Sequence, residues 1–295
     1  MSPDSKTGAP QGFDIVRQRT LEIGACVMAN PDHPQYTADK VVTKIFPGEK
    51  SAMLGVMDGV GSGDEQSVQA AEITLNNLLR QDSLAIAALT IARARLLLKD
   101  AIFKSNQEII ALQNRVGNRD ADTTASAGIV CPSVSGEGKF LVTANIGDSR
   151  IYRYRPKDET VVQLTKDNSL TQTKVDAGEL SPDQAFTDPQ RNYILKSVGD
   201  RDHVKAPKDI DTLVYEVEDG DFYIAVSDGV TDNIPPGGFV IAVREELQRS
   251  FGRNKNKPDL KKYARGIAQR ASNIMNQSTA PHAKKDDIGV AILRT

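Results

Sequence analysis

The chain has only two cysteines, Cys26 and Cys131, and both lie inside apolar runs. Two are too few for a cysteine zinc site or a disulfide framework, so buried thiols are expected. Neither sign of charge dominates. The 37 Lys and Arg against 39 Asp and Glu leave a net charge of −2, so there is no basic excess to neutralise phosphates, which argues against nucleic acid as a partner. The basic stretch from Arg253 to Lys262 reads as a solvated face. No apolar run approaches the ~18 residues of a membrane span. The opening Met1-Ser2-Pro3-Asp4-Ser5 lacks the apolar segment of a secretory signal. No membrane contact and a cytoplasmic address are therefore expected. No repeat of ~20 to 50 residues points to a solenoid or propeller. What is present is ordinary globular material, 39% hydrophobic and 26% charged over 295 residues, enough for a sizeable core.

Residues 1–12 are polar and carry Pro and Gly, which predicts a loose tail before a single domain over 13–295. Strands are predicted over Glu22–Met28, Lys40–Phe46 and Ser51–Met57. Helical stretches follow from Asp64 to Gln81 and from Ser83 to Val116, the second being one long helix or two. Strands resume at Ala125–Cys131, Lys139–Ala144, Arg150–Arg155 and Thr160–Leu164. The polar segment from Thr165 to Pro207 carries one short helix signal, with Ser181 as N-cap and Pro182 at the first helical position. Thr212–Val217 and Phe222–Ser227 read as strands facing each other across the turn 218–221. Helices near Phe239–Arg249 and Leu260–Gln277 and a strand Ile288–Leu293 end the chain. Strands and helices come in blocks rather than in βαβ alternation, which favours an α+β fold.

Against this background the aspartates stand out. Asp58 follows Met53-Leu54-Gly55-Val56-Met57, Asp228 follows Phe222 to Ser227, and Asp286-Asp287 precedes Ile288 to Leu293. A carboxylate at the end of a buried strand is held by rigid backbone yet open to solvent. Three of them can gather a hard cation such as Mg²⁺ or Mn²⁺. Each motif also has a plainer reading. Asp58-Gly59-Val60-Gly61-Ser62-Gly63 suits a Gly-rich turn or, more weakly, a phosphate cradle, since neither Gly-Lys-Ser/Thr nor a complete G-x-G-x-x-G is present. Gly147-Asp148 suits a hairpin. Asp228 and Asp232 share one side only if a helical turn starts there. Lys285-Asp286-Asp287 suits a charged strand entry. The histidines His33, His203 and His282 lie in polar segments and read as surface or loop residues, with general acid work open to His33 or His203.

In combination and in order, Asp58-Gly59-Val60-Gly61, Asp122-Thr123-Thr124-Ala125, Asn145 to Arg150, Ser227 to Asp232 and Asp286-Asp287 resemble the motifs of the metal-dependent protein serine/threonine phosphatases, type 2C. Leu170 to Gly199 resembles the flap of bacterial members. The resemblance spans roughly residues 20–294. It implies two stacked antiparallel β-sheets flanked by helix pairs, a four-layer αββα sandwich, with a flap at about 165–207. It implies Mn²⁺ or Mg²⁺ as cofactor, two core ions and a weaker third. Asp58 would bridge the core ions with the Gly59 carbonyl on one of them, Asp228 and Asp286 would complete the other, and Asp148 and Asp232 with Asp228 would hold the third. Asp58, Asp228 and Asp286 would be catalytic through an activated water that attacks phosphorus in line. The implied partner is a phosphoserine or phosphothreonine protein made by an opposing kinase, and the implied state is a monomer.

The sequence departs from that family at several places. Thr37-Ala38-Asp39 stands where an Asn-Glu-Asp is usual, so the glutamate is alanine, leaving Asp39 to act through water or Asp32 to substitute. Val60, Asp122 and Asp287 also differ from the usual residues, and no phosphate-binding arginine appears near Asp32. A second expectation follows from these departures, a catalytically weak phosphatase-fold module that binds a phosphoprotein or signalling partner.

Overall fold

The computed structural model describes residues 21–48, 50–60, 65–80, 89–135, 137–252, 257–277 and 282–295. The strands are β1 Glu22–Met28, β2 Lys40–Ile45, β3 Ala52–Met57, β4 Gly59–Val60, β5 Asp122–Thr123, β6 Ala125–Pro132, β7 Lys139–Ile146, β8 Arg150–Arg155, β9 Thr160–Gln163, β10 Asp211–Val217, β11 Phe222–Val226 and β12 Ile288–Arg294. The helices are α1 Glu65–Leu79, α2 Ile91–Val116, α3 Leu170–Asp176, α4 Pro182–Thr187, α5 Asp228–Thr231, α6 Pro236–Ser250 and α7 Leu260–Met275. The predicted tail and the glycines Gly61 and Gly63 lie outside the described residues.

Two five-stranded antiparallel sheets, in the orders β1-β12-β11-β8-β9 and β10-β7-β6-β3-β2, form the middle of the molecule. The apolar runs are continuous because both faces of these strands are covered. In β11, Tyr223 and Ala225 point between the sheets, while Phe222, Ile224 and Val226 point at α6 and α7. In β3, Leu54 and Val56 point between the sheets, while Met53 and Met57 face α1 and α2. That period of two, with both faces buried, produces the αββα layering. Fully burying side chains of this kind stabilises by about 1.5–3 kcal/mol each. Cys26 and Cys131 are free thiols. Among the described residues, no helix is long and apolar enough to cross a membrane.

Two local readings change. β10 and β11 do not face each other, since β10 pairs with β7 and β11 with β8 and β12. The 218–221 turn carries the chain from one sheet to the other. Gly147-Asp148 is likewise no hairpin, because β7 and β8 belong to different sheets. The long helical stretch is a single helix from Ile91, capped by Thr90, whose hydroxyl accepts from Arg93 N, and closed by Gly117 at φ 71°. Residues 81–88 lie outside the described residues. α4 carries the expected cap, with Ser181 and Gln184 exchanging hydrogen bonds in a capping box. α3, in the flap segment, was not anticipated.

Candidate metal centre

Strand register brings the predicted aspartates together. The end of β11 lies beside the start of β12, with Val226 opposite Val290, so Asp228 and Asp286 meet. Val226 also lies opposite Arg150 of β8, which brings Asp148 from the turn before β8. In the other sheet Lys40 pairs with Met57, setting Asp39 next to Asp58. Helix α5 starts at Asp228, and Asp232 N donates to Asp228 O at 2.7 Å, so Asp228 and Asp232 are one turn apart on the same side. The conditional reading of that spacing holds.

Backbone clamps fix these positions. Asp58 O accepts from Thr123 Oγ1 and Thr124 N, each at 2.8 Å, and Asp58 N donates to Thr124 Oγ1 at 3.0 Å. The Thr-Thr element therefore holds the Asp58 backbone still. Gly59 is needed because a Cβ there would lie 2.8 Å from both Ala38 Cβ and Ser67 O. At Gly229 a Cβ would fall 1.8 Å from Asp287 O, so only glycine lets the entry of β12 come this close to α5.

The cluster is short of positive charge. Burial pushes the Asp39, Asp58 and Asp148 carboxyls well above the usual range, and neighbouring aspartates push further. Burial, with the charge of Asp228, raises Asp232 to about 6 and Asp286 to about 7. Burial also disfavours ionised Asp228, but the Lys284 ammonium together with hydrogen bonds from Asp58 and Asp286 outweighs it and holds that carboxyl low. Lys284 Nζ stands 2.5 Å from Asp228 Oδ2, 2.8 Å from Asp286 Oδ2 and 3.5 Å from Asp232 Oδ2. One ammonium serves three carboxylates.

A hard divalent cation fits these residues. Asp39 Oδ1 and Oδ2, Asp148 Oδ1 and Asp228 Oδ1 are buried oxygens without a hydrogen-bond partner, and an all-oxygen donor set selects Mg²⁺ or Mn²⁺ over zinc. Among the described residues, no group of three or more acidic, His or Cys side chains is disposed to hold an ion as it stands. The Lys284 ammonium stands among them instead. Asp58, Gly59, Asp228 and Asp286 line a cavity of about 340 Å³. Asp148, Asp228 and Asp232 line a second, of about 510 Å³, beneath the flap residues Phe186 and Arg191.

Asp32 does not join the cluster, because its side chain is 59% exposed and paired with Lys285 at 2.6 Å. Asp39, 1% exposed, lies beside Asp58 in the cluster instead. His33 lines the smaller cavity, whereas His203 lines a separate one behind the flap. His282 is part-buried, its ring 5.0 Å from that of Phe186, rather than a free surface residue. Two cations were missed. Lys284 sits among the aspartates, and Arg191 lies 3.7 Å from Asp232 Oδ2 while donating to His282 O.

No protein-family model matches the chain. Relatives and folds do. The serine/threonine phosphatase Stp of Listeria innocua is 28% identical over 213 residues, 72% of this chain and 77% of that protein. A Streptococcus pyogenes protein whose name assigns it to the 2C type of protein phosphatase is 30% identical over 190 residues, 64% of this chain and 72% of its own length. In fold, the chain superposes on the catalytic domain of the phosphatase PstP, solved with two manganese ions. The TM-score is 0.65 at 19% identity, covering 93% of this chain and 98% of that one.

Proposed function

Since the chain belongs to the type-2C family of protein phosphatases, we propose that it hydrolyses phosphoserine and phosphothreonine in proteins, using Mn²⁺ or Mg²⁺ held by Asp58, Gly59, Asp228 and Asp286. The observation that carries this reading is the convergence of buried carboxylates from strand ends of both sheets, with oxygens left unpartnered. When bound, the ions would offset the phosphate dianion and acidify water.

The chain's own residues supply the frame. Asp39 supports the Asp58 side of the centre, and Asp148 with Asp232 offers a third, weaker ion site beside Asp228. Thr123 and Thr124 keep Asp58 from swinging away. Arg191, reaching in from the flap toward Asp232, adds positive charge where an anionic substrate must enter. His33, which lines the same cavity as Asp58, is our candidate for protonating the leaving serine or threonine oxygen. The substrate is then the product of a serine/threonine kinase, handled by a monomer, and two free thiols suit a reducing compartment such as the cytoplasm.

The test is turnover of phosphoserine, phosphothreonine and phosphotyrosine peptides with Mn²⁺ and with chelator. Hydrolysis of the first two that vanishes on chelation is expected. Asp228→Asn should lower kcat at least about 100-fold with the fold intact, given that losing even an outer-shell partner of a metal site costs about 10–100-fold. Full activity in that variant would sink the assignment.

A further inference from the structure

Lys284 is held in place by more than its ammonium. The Asn233 side chain, itself fully buried, donates to Lys284 O at 2.9 Å and accepts from Lys284 N at 3.0 Å, while also bonding Gly229 O. Asn233 directly follows Asp232, so α5 and the residue facing it are tied as one unit. The Lys284 side chain is 24% exposed, and its nitrogen lies between Asp228 and Asp286. Neighbouring Lys285 points elsewhere, its ammonium 2.6 Å from the exposed Asp32.

An ion held between Asp228 Oδ2 and Asp286 Oδ2 would approach both oxygens to about 2.0–2.1 Å for Mg²⁺. The ammonium nitrogen stands 2.5 and 2.8 Å from them, so the two cations cannot occupy that space together. We propose that Lys284 is a resident counter-ion of the carboxylate cluster, bridging Asp228 and Asp286 until a divalent ion displaces its ammonium, and thereby setting the metal concentration at which the centre loads. Because Asn233 fixes the backbone, the four-carbon side chain is what moves. The inference rests on the reading of these aspartates as metal ligands. It adds a regulatory element to it: loading becomes an exchange of cations rather than simple binding.

Calorimetric Mn²⁺ titration of the chelator-stripped protein tests this in wild type, Lys284→Met and Lys285→Met. We expect Lys284→Met to bind at least about tenfold more tightly, a factor equivalent to 1.4 kcal/mol, and Lys285→Met, which removes the same charge one residue away, to stay within about twofold of wild type. Equal tightening in both variants would mean diffuse charge rather than occupancy, and no tightening in Lys284→Met would mean no competition. Either result overturns the proposal. A wild type that binds no Mn²⁺ overturns the metal reading itself, and so is distinguishable from failure of this inference alone. Should Lys284→Met fail to fold, reductive methylation of the wild type read by mass spectrometry decides. Lys284 should be protected in chelator and modified several-fold faster with Mn²⁺, and equal rates in the two conditions overturn the proposal.

Discussion

The backbone N–H of Ala38 donates to Asp287 Oδ2 at 2.6 Å, joining residues 249 apart in the chain. Asp287 Oδ1 accepts from Asn30 N at the same distance. One carboxylate thus staples the β1–β2 connection to the entry of β12. The two adjacent acids divide the work: Asp286 faces the Lys284 ammonium, and Asp287 braces the loop that carries Asp39.

Asparagine cannot do what Asp287 does here. It offers one acceptor oxygen, and its amide group would meet the second N–H donor to donor. Losing a charge-assisted bond to a group that is 3% exposed costs about 1–3 kcal/mol. Asp287→Asn should therefore lower the unfolding free energy by that amount, read as a lower urea midpoint at an unchanged slope. An unchanged midpoint would show that the staple contributes nothing.

Ala38 stands where the family's glutamate is expected, and its methyl group packs against Gly59 beside the Asp58 cavity. Ala38→Glu would supply the missing carboxylate, because its side chain projects into that cavity and its backbone bond to Asp287 does not depend on the side chain. Calorimetry should detect Mn²⁺ binding tightened by about tenfold, or an additional bound ion, as a further anionic oxygen ligand would give. Identical isotherms for the two proteins would argue that Asp39 already suffices.

Most of the strands were legible because apolar runs such as Phe222–Val226 are buried on both faces, which leaves an unambiguous signature. Their partners were not legible. The turn 218–221 has the residues of a hairpin, but a tight turn serves equally well to cross between sheets. The choice depends on which core each strand joins, which no local pattern records. Helix α3 was missed because of its residues only Thr171 is buried, so no apolar stripe marks it. In the site, the aspartates were visible from their strand-end positions. Lys284 was not, since no spacing rule places a lysine against a carboxylate such as Asp228, 56 residues away. The Ala38 departure read as a loss, because a backbone N–H bond leaves no trace in side-chain identity.

Asp122, at the base of the flap, accepts from Gln113 Nε2 at 2.6 Å and from Ser197 Oγ at 2.7 Å. Burial raises its pKa from 3.8 to about 6, with the charge of Asp200 adding to the effect and these two donors opposing it. The folded state holds this proton more tightly than the unfolded chain does. Ionising Asp122 therefore penalises folding above pH 6, and the penalty fades as pH falls toward 4. Asp122→Asn should be more stable than wild type at pH 7 by about 1–3 kcal/mol, with the gap closing between pH 6 and 4. Thermal melts across that range check it, and a pH-independent difference would contradict it.

Metal removal should be felt in the fold itself. Asp39 is 1% exposed with neither oxygen partnered, and it faces Asp286, Asp287 and Asp228. Without divalent ions, the Lys284 ammonium is the one cation among the described residues that bridges the neighbouring carboxylates, so chelation leaves repulsion in place. Mn²⁺ at about 100 times Kd stabilises the native state by about 2.7 kcal/mol, or roughly 5–10 °C in Tm for a domain of this size. Asp39→Asn removes one repelling charge and one supporting acid together. Its metal-free Tm should rise by a few degrees while its Mn²⁺-induced shift shrinks to less than about half of the wild-type value. Scanning fluorimetry with and without chelator measures both quantities in one experiment. If Asp39→Asn keeps the full Mn²⁺ shift, the buried carboxylate plays no part in holding the ions.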